Sequence, residues 1–161
     1  MAAKEKVTGT PAIRMLKKEK VDFVPHFYRY EDRGGTKVAS RELNIGEHLA
    51  VKTIVMEDEN GDPFIVLMNG DKEVSAKTMA RLRGAKTVRP CTPEEVQRHT
   101  GYQVGGTSPF GTRKPLPLYM ERSILELERI YINGGRRGLL VEMPPAEVVR
   151  ILDPVIVEAG Y

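Results

Sequence analysis

LAVKTIVMEDENGDPFIVLMNGD, residues 49–71, sets two apolar, β-branched runs on either side of Asn60-Gly61. A two-residue turn of this composition is the strongest short-range hairpin signal, because Asn and Gly accept the positive φ angles that such a turn demands. Leu49–Asp58 therefore reads as one strand and Pro63–Asp71 as its return. The antiparallel hairpin spans Val51 to Leu67.

Further strand patterns lie on both sides. Asp22–Tyr30 is rich in aromatic and β-branched residues, and Pro25 assigns it to an edge or interrupts it. Residues 86–91 (KTVRPC), the start of PLYMERSILEL, RIYINGG and RRGLLVEM read as additional strands, the last two as a hairpin around Asn133-Gly134-Gly135. Helices alternate with them. Thr10 caps a helix opened by Pro11, with Ala12, Ile13, Leu16 and Val21 on its apolar face. A short helix follows Gly34-Gly35. Ser75 and Gly84 bracket another, Thr92-Pro93 and Gly101 a fourth, and PPAEVVRIL forms a C-terminal helix. Mixed strands and helices with local hairpins predict an α+β fold. No repeat or linker divides residues 1–161, so one domain is expected, with residues 1–9 as a flexible lead.

Composition narrows the function. Hydrophobic residues are 40% and charged residues 29% of the 161, as in ordinary globular chains. The charge is +3, from 25 Lys+Arg against 22 Asp+Glu. That mild excess suits transient contact with a polyanion. The absence of Trp and the scarcity of Tyr and Phe argue against wide base-stacking platforms. A single cysteine, Cys91, excludes an internal disulfide and a Cys-rich zinc site. The charged N-terminal stretch and the lack of a long apolar run predict a cytoplasmic protein with no membrane association.

No Ser-His-Asp elbow is present. His26, His48 and His99 lack metal-ligand spacing, and each reads as a surface or structural residue. Cys91 precedes a helix start, where thiol pKa values can fall, yet a lone thiol is more often inert. Lys52 sits mid-strand in AVKTIV; it is either a solvated lysine or an ammonium aimed into a pocket. GYQVGGTSPFGTRKPLP, residues 101–117, is either a connector or a moulded loop whose glycine amides cradle an anion. It lacks the closing Gly-Lys-Ser/Thr of a phosphate loop. Gly134-Gly135 followed by Arg136-Arg137 poses the same choice.

Taken together, TPAIRMLKKEKVDF, HFYRY, VKTIVM, GYQVGGTSPFGTRKPLP and YINGGRRG resemble the YbaK/EbsC family of bacterial aminoacyl-tRNA deacylases. That family is related to the editing domain of bacterial prolyl-tRNA synthetases. The resemblance runs from about Thr10 to Leu152. It implies a mixed, mostly antiparallel, six- or seven-stranded barrel-like sheet with surrounding helices. It also implies hydrolysis of the ester in a mischarged aminoacyl-tRNA, most characteristically Cys-tRNA(Pro), without metal or organic cofactor. A deacylase for another small residue such as alanine, and a non-catalytic aminoacyl-tRNA or nucleotide-binding module, remain as alternatives.

The resemblance assigns catalysis to Lys52, Gly105 and Gly106, the glycine amides serving as oxyanion donors. It assigns substrate binding to Tyr28, Thr53, Gly35, Ser108, Pro109, Asn133 and Gly134. Arg113, Lys114, Arg136 and Arg137 become candidates for tRNA backbone contacts, which give affinity without reading sequence. Prolyl-tRNA synthetase is an expected transient partner. Two positions depart from the family pattern: Gly35 stands where some members have phenylalanine, and Asn133 where a serine precedes the glycine pair.

Overall fold

The computed structural model describes residues 9–161; the expected flexible lead, apart from Gly9, lies outside them. Among the described residues five helices flank one sheet. The order is α1 (Pro11–Lys18), β1 (Val24–Phe27), α2 (Gly35–Leu43), β2 (Ala50–Asp58), β3 (Pro63–Asn69), α3 (Ala76–Arg83) and β4 (Val88–Pro90). It continues with α4 (Pro93–Thr100), β5 (Leu118–Glu121), β6 (Ile130–Asn133), β7 (Leu139–Met143), α5 (Pro145–Leu152) and β8 (Val155–Val157). Short 3-10 turns precede β2 (Glu47–Leu49) and follow β5 (Arg122–Glu126).

The helix ends follow their local chemistry. Thr10 Oγ1 accepts from the Ile13 amide at 3.0 Å, Ser75 Oγ from Thr78 at 3.1 Å, and Thr92 Oγ1 from Glu95 at 3.3 Å. The Glu95 carboxylate returns the favour to the Thr92 amide at 2.8 Å, completing a capping box.

The strands run β1-β7-β6-β2-β3-β5-β8, with β4 pairing β2 from the side. The mixed sheet with surrounding helices is as expected. It has eight strands rather than six or seven, and its path stays open, because β1 and β8 pair with one neighbour each. Four strand pairs are antiparallel and three parallel. Pro25 lies in the edge strand β1, where a missing amide costs least. The strand that sequence patterning passed over is β8, a three-residue element laid parallel to β5.

β3 explains the core. Ile65 and Leu67 enter one apolar cluster, while Phe64, Val66 and Met68 enter a second. Alternate side chains of a strand face opposite sides, so β3 is buried on both faces. β2 follows suit: Val51 and Val55 join the first cluster, Met56 the second. By the same alternation Lys52 and Thr53 point to opposite faces.

Candidate functional site: a pocket at a gap beside β2

β2 changes neighbours along its length. Ala50 and Val51 pair with β6, and Met56 to Asp58 pair with β4. Between them β2 has a partner strand on the β3 side only. A cavity of about 410 Å³ opens beside this stretch and is lined by every residue from Ala50 to Val55. That volume is in the range of small-molecule sites. The loop after β1 supplies Tyr28, Tyr30, Glu31, Asp32 and Arg33; α2 supplies Gly35, Thr36, Val38 and Ala39. Val104, Gly105 and Thr107 close another side, with Tyr131, Asn133 and Leu140 from β6 and β7, and Pro90, Cys91 and Val96 at the far end.

Six residues assigned to the site by sequence meet in this wall: Tyr28, Gly35, Lys52, Thr53, Gly105 and Asn133. Thr53 Oγ1 is buried and has no hydrogen-bond partner among the described residues. Buried hydroxyls are almost always satisfied, so an orphan in a pocket wall is a candidate ligand contact. Val55 O accepts from the Cys91 amide at 2.9 Å. Thr53, two residues earlier, presents its backbone to the same open side. Lys52 lines the cavity, and its ammonium lies 3.6 Å from Glu73 Oε1. Burial raises the Tyr28 phenol, although the Gly138 backbone pulls the other way, so its hydroxyl stays a donor. A Cβ on Gly35 would meet nothing within 4 Å, so the wall has open space there.

The stretch 101–117 is a moulded loop. Tyr102 donates its hydroxyl to Phe110 O at 2.6 Å, and Ser108 Oγ accepts from Phe110 N at 3.1 Å. Ser108, Pro109 and Phe110 are buried beneath it. They fix the loop and do not line the cavity. Gly105 adopts φ +87°, a conformation that favours glycine, with its face against Tyr30.

Gly106 lies outside the cavity wall. Its amide already donates to Gln103 O at 2.9 Å. The residue must be glycine because a Cβ would lie 2.8 Å from the Arg137 nitrogen. Gly106 is thus a tightly packed position whose amide is already engaged. Gly134 is similar: its amide donates to Leu139 O at 3.0 Å, its carbonyl accepts from Thr10 Oγ1 at 2.7 Å, and a Cβ would strike Leu139.

Asn133 joins the two glycine segments. Its Oδ1 accepts from the Gly135 and Arg136 amides at 2.7 and 3.2 Å, while its Nδ2 donates to Gly105 O at 3.0 Å. Arg137 Nε donates to Val104 O at 3.0 Å, and its guanidinium lies 5.0 Å from the Tyr30 ring centre. Arg136 stands 5.9 Å from the Phe27 ring. Arg113 and Lys114 are exposed on the same glycine-rich loop, with Arg113 Nη1 3.5 Å from Arg98 O. These four cations lie outside the cavity wall.

Sequence reading passed over Tyr30, Asp32, Thr107 and Tyr131, which reach the cavity from three segments: the loop after β1, the glycine-rich loop and β6. Tyr30 carried a signal in HFYRY; the others carried none. Cys91 also reaches the wall, with its thiol pushed up to about 12 by burial and by the Glu57 and Glu95 charges. It is a neutral thiol at physiological pH. Among the described residues no helix is long and apolar enough to cross a membrane.

Comparison with known proteins gives these features a family. The aminoacyl-tRNA editing domain is matched over residues 32–151. A protein of Enterococcus faecalis, EbsC, whose name carries a provisional assignment as a Cys-tRNA(Pro)/Cys-tRNA(Cys) deacylase, is 27% identical, with 94% of this chain and 93% of that protein covered. A proline–tRNA ligase of Nitratidesulfovibrio vulgaris is 30% identical over 65% of this chain, which corresponds to 17% of the ligase. The crystal structure of hypothetical protein APE2540 superposes with a TM-score of 0.86 at 26% identity, covering 94% of this chain and 99% of that one. A structure titled, provisionally, as a trans-editing enzyme for prolyl tRNA synthetase has the same fold, with a TM-score of 0.81 at 23% identity and coverage of 94% and 95%. With three quarters of its length matched, the chain belongs to the aminoacyl-tRNA editing domain family.

Proposed function

We propose that this protein is a trans-editing hydrolase that cleaves the ester between a wrongly attached amino acid and its tRNA, with Cys-tRNA(Pro) as the leading substrate. The reading rests on one observation: six positions that the family resemblance assigns to the site line a single cavity at the β2 gap. The cavity holds the amino acid and the terminal ribose. Arg113, Lys114, Arg136 and Arg137 outside it take the tRNA backbone. A prolyl-tRNA synthetase in transient complex would add tRNA selectivity.

An aminoacyl ester is already activated, so positioning and charge stabilisation suffice. Water adds to the ester carbonyl, the bond to the ribose oxygen breaks, and the leaving oxygen takes a proton, giving free amino acid and tRNA. For a cysteinyl substrate the substrate's own thiol can attack instead: a cyclic thioester forms, the ribose oxygen leaves with the thiol's proton, and water later opens the ring. The neutral Cys91 leaves the wall without a ready protein nucleophile. Lys52 and the Gly105 amide are the candidate stabilisers of the oxyanion. Thr53 offers its orphan hydroxyl to the substrate.

The Gly35 and Asn133 departures support a second reading, a deacylase for another small residue such as alanine, because the wall at Gly35 has open space. The deciding experiment is a panel of tRNAs charged with cysteine, alanine, serine, threonine and proline, assayed for release of each amino acid. Preferential release from Cys-tRNA(Pro) supports the leading substrate, and preferential release of alanine the second. Saturable binding with no release at all would overturn the hydrolase in favour of a binding module.

A further inference from the structure

Glu57, Cys91 and His99 come from β2, the residue after β4, and the last turn of α4, and their ligand atoms lie within 4.8 Å of one another. Glu57 and His99 are 4% and 5% exposed. His99 Nε2 and Glu57 Oε2 are 2.6 Å apart, and His99 Nδ1 is buried with no hydrogen-bond partner among the described residues. Cys91 is half-buried and reaches the cavity wall. A sulfur, an imidazole nitrogen and a carboxylate oxygen are thus gathered where Cys91 meets the cavity wall.

We infer that this cluster is a binding site for a borderline-soft divalent transition-metal ion, with Zn²⁺ as the best fit. Three mixed S, N and O ligands with a fourth position open suit that class of ion rather than Mg²⁺ or Ca²⁺, which take oxygen. Ligand atoms around a tetrahedral zinc stand roughly 3.3–3.6 Å apart, given bonds near 2.0–2.3 Å. The cluster brackets that spacing, so small side-chain rotations admit the ion. Binding exchanges the thiol proton of Cys91 for the metal and releases it to solvent. Thiolate and carboxylate then balance the two positive charges.

The neighbouring cations support the geometry. Arg89 holds Glu57 Oε1 at 3.0 Å and leaves Oε2 to the cluster. Its charge is already matched by Glu95, which it grips with two bonds of 2.9 Å. Outer partners of this kind fix the orientation of a ligating carboxylate. Arg98 lies 3.8 Å from Glu57 Oε2, but its side chain is 63% exposed and free to turn outward.

The test uses tag-free, metal-stripped full-length protein titrated with Co²⁺, followed by competition with Zn²⁺. The expected result is one Co²⁺ per chain with a thiolate-to-cobalt charge-transfer band that Zn²⁺ displaces. Cys91→Ser should abolish the band, and His99→Gln and Glu57→Gln should each weaken binding about tenfold or more. Wild-type protein that takes up no stoichiometric Co²⁺ or Zn²⁺ would overturn the site. So would a band of unchanged affinity in folded His99→Gln and Glu57→Gln, since the thiol would then be acting alone. If both buried variants unfold, the wild-type stoichiometry and the half-buried Cys91→Ser decide.

Discussion

Gly105 and Tyr30 are in contact at the cavity wall: a methyl group added to Gly105 would stand 2.6 Å from the Tyr30 hydroxyl oxygen. The backbone there is also left-handed, at φ +87°. Gly105→Ala should therefore cost about 1–3 kcal/mol through strain. It should also lower deacylation by more than the loss of folded protein explains, because Tyr30 must move. Thermal denaturation read beside single-turnover ester hydrolysis checks both effects.

Gly106→Ala is expected to behave differently. The added methyl meets the backbone of Arg136 and Arg137, which has little room to yield. Overpacking of this sort costs about 1–3 kcal/mol. The amide is already committed to Gln103, so the fraction that folds should hydrolyse its substrate near the wild-type rate. A variant that is fully stable but inactive would restore the donor role to this amide.

Lys52→Ala should leave the urea midpoint nearly unchanged and reduce deacylation roughly a hundredfold, the usual scale for losing one electrostatic stabiliser. Glu73, whose side chain is 71% exposed, holds the ammonium only in an exposed pair. Glu73→Gln should accordingly fold normally and keep its activity within a few-fold. Equal rates for wild type and Lys52→Ala would remove Lys52 from the chemistry.

Arg89 and Glu95 set an acid dependence. Hydrogen bonds from Arg89, then from Thr92, hold the Glu95 carboxyl down to about 2, against 4.5 ordinarily. A carboxyl whose folded pKa is depressed stabilises the fold above its unfolded value and loses that contribution as pH falls through the folded one. The stability gap between wild type and Glu95→Gln should thus be complete above about pH 4.5 and close between there and about pH 2. Urea unfolding of both proteins at pH 7, 4 and 2.5 measures it.

Local chemistry made much of the fold legible. The caps at Thr10, Ser75 and Thr92, the Asn60-Gly61 turn and the edge position of Pro25 each depend on a few adjacent residues. β8 was not legible because three residues become a strand only by lying beside β5, some 36 positions earlier. The site divides in the same way. Lys52, Thr53 and Gly105 stood out within their own segments. Asp32, Thr107 and Tyr131 acquire meaning only when three segments converge on the β2 gap. Gly106 shows that a conspicuous glycine can serve close packing, with the partner of its amide fixed by the turn.

Asn133 has a mechanical consequence. By holding Gly105 with one end and the Gly135 and Arg136 amides with the other, it makes one jaw of two loops that are nearly thirty residues apart in sequence. Neither half can shift toward a substrate without carrying its counterpart. Disturbance on either side is therefore shared, and substitutions at Gly105 and Asn133 should combine non-additively, as contacting residues do. A serine at this position would be too short to span both loops as the asparagine does.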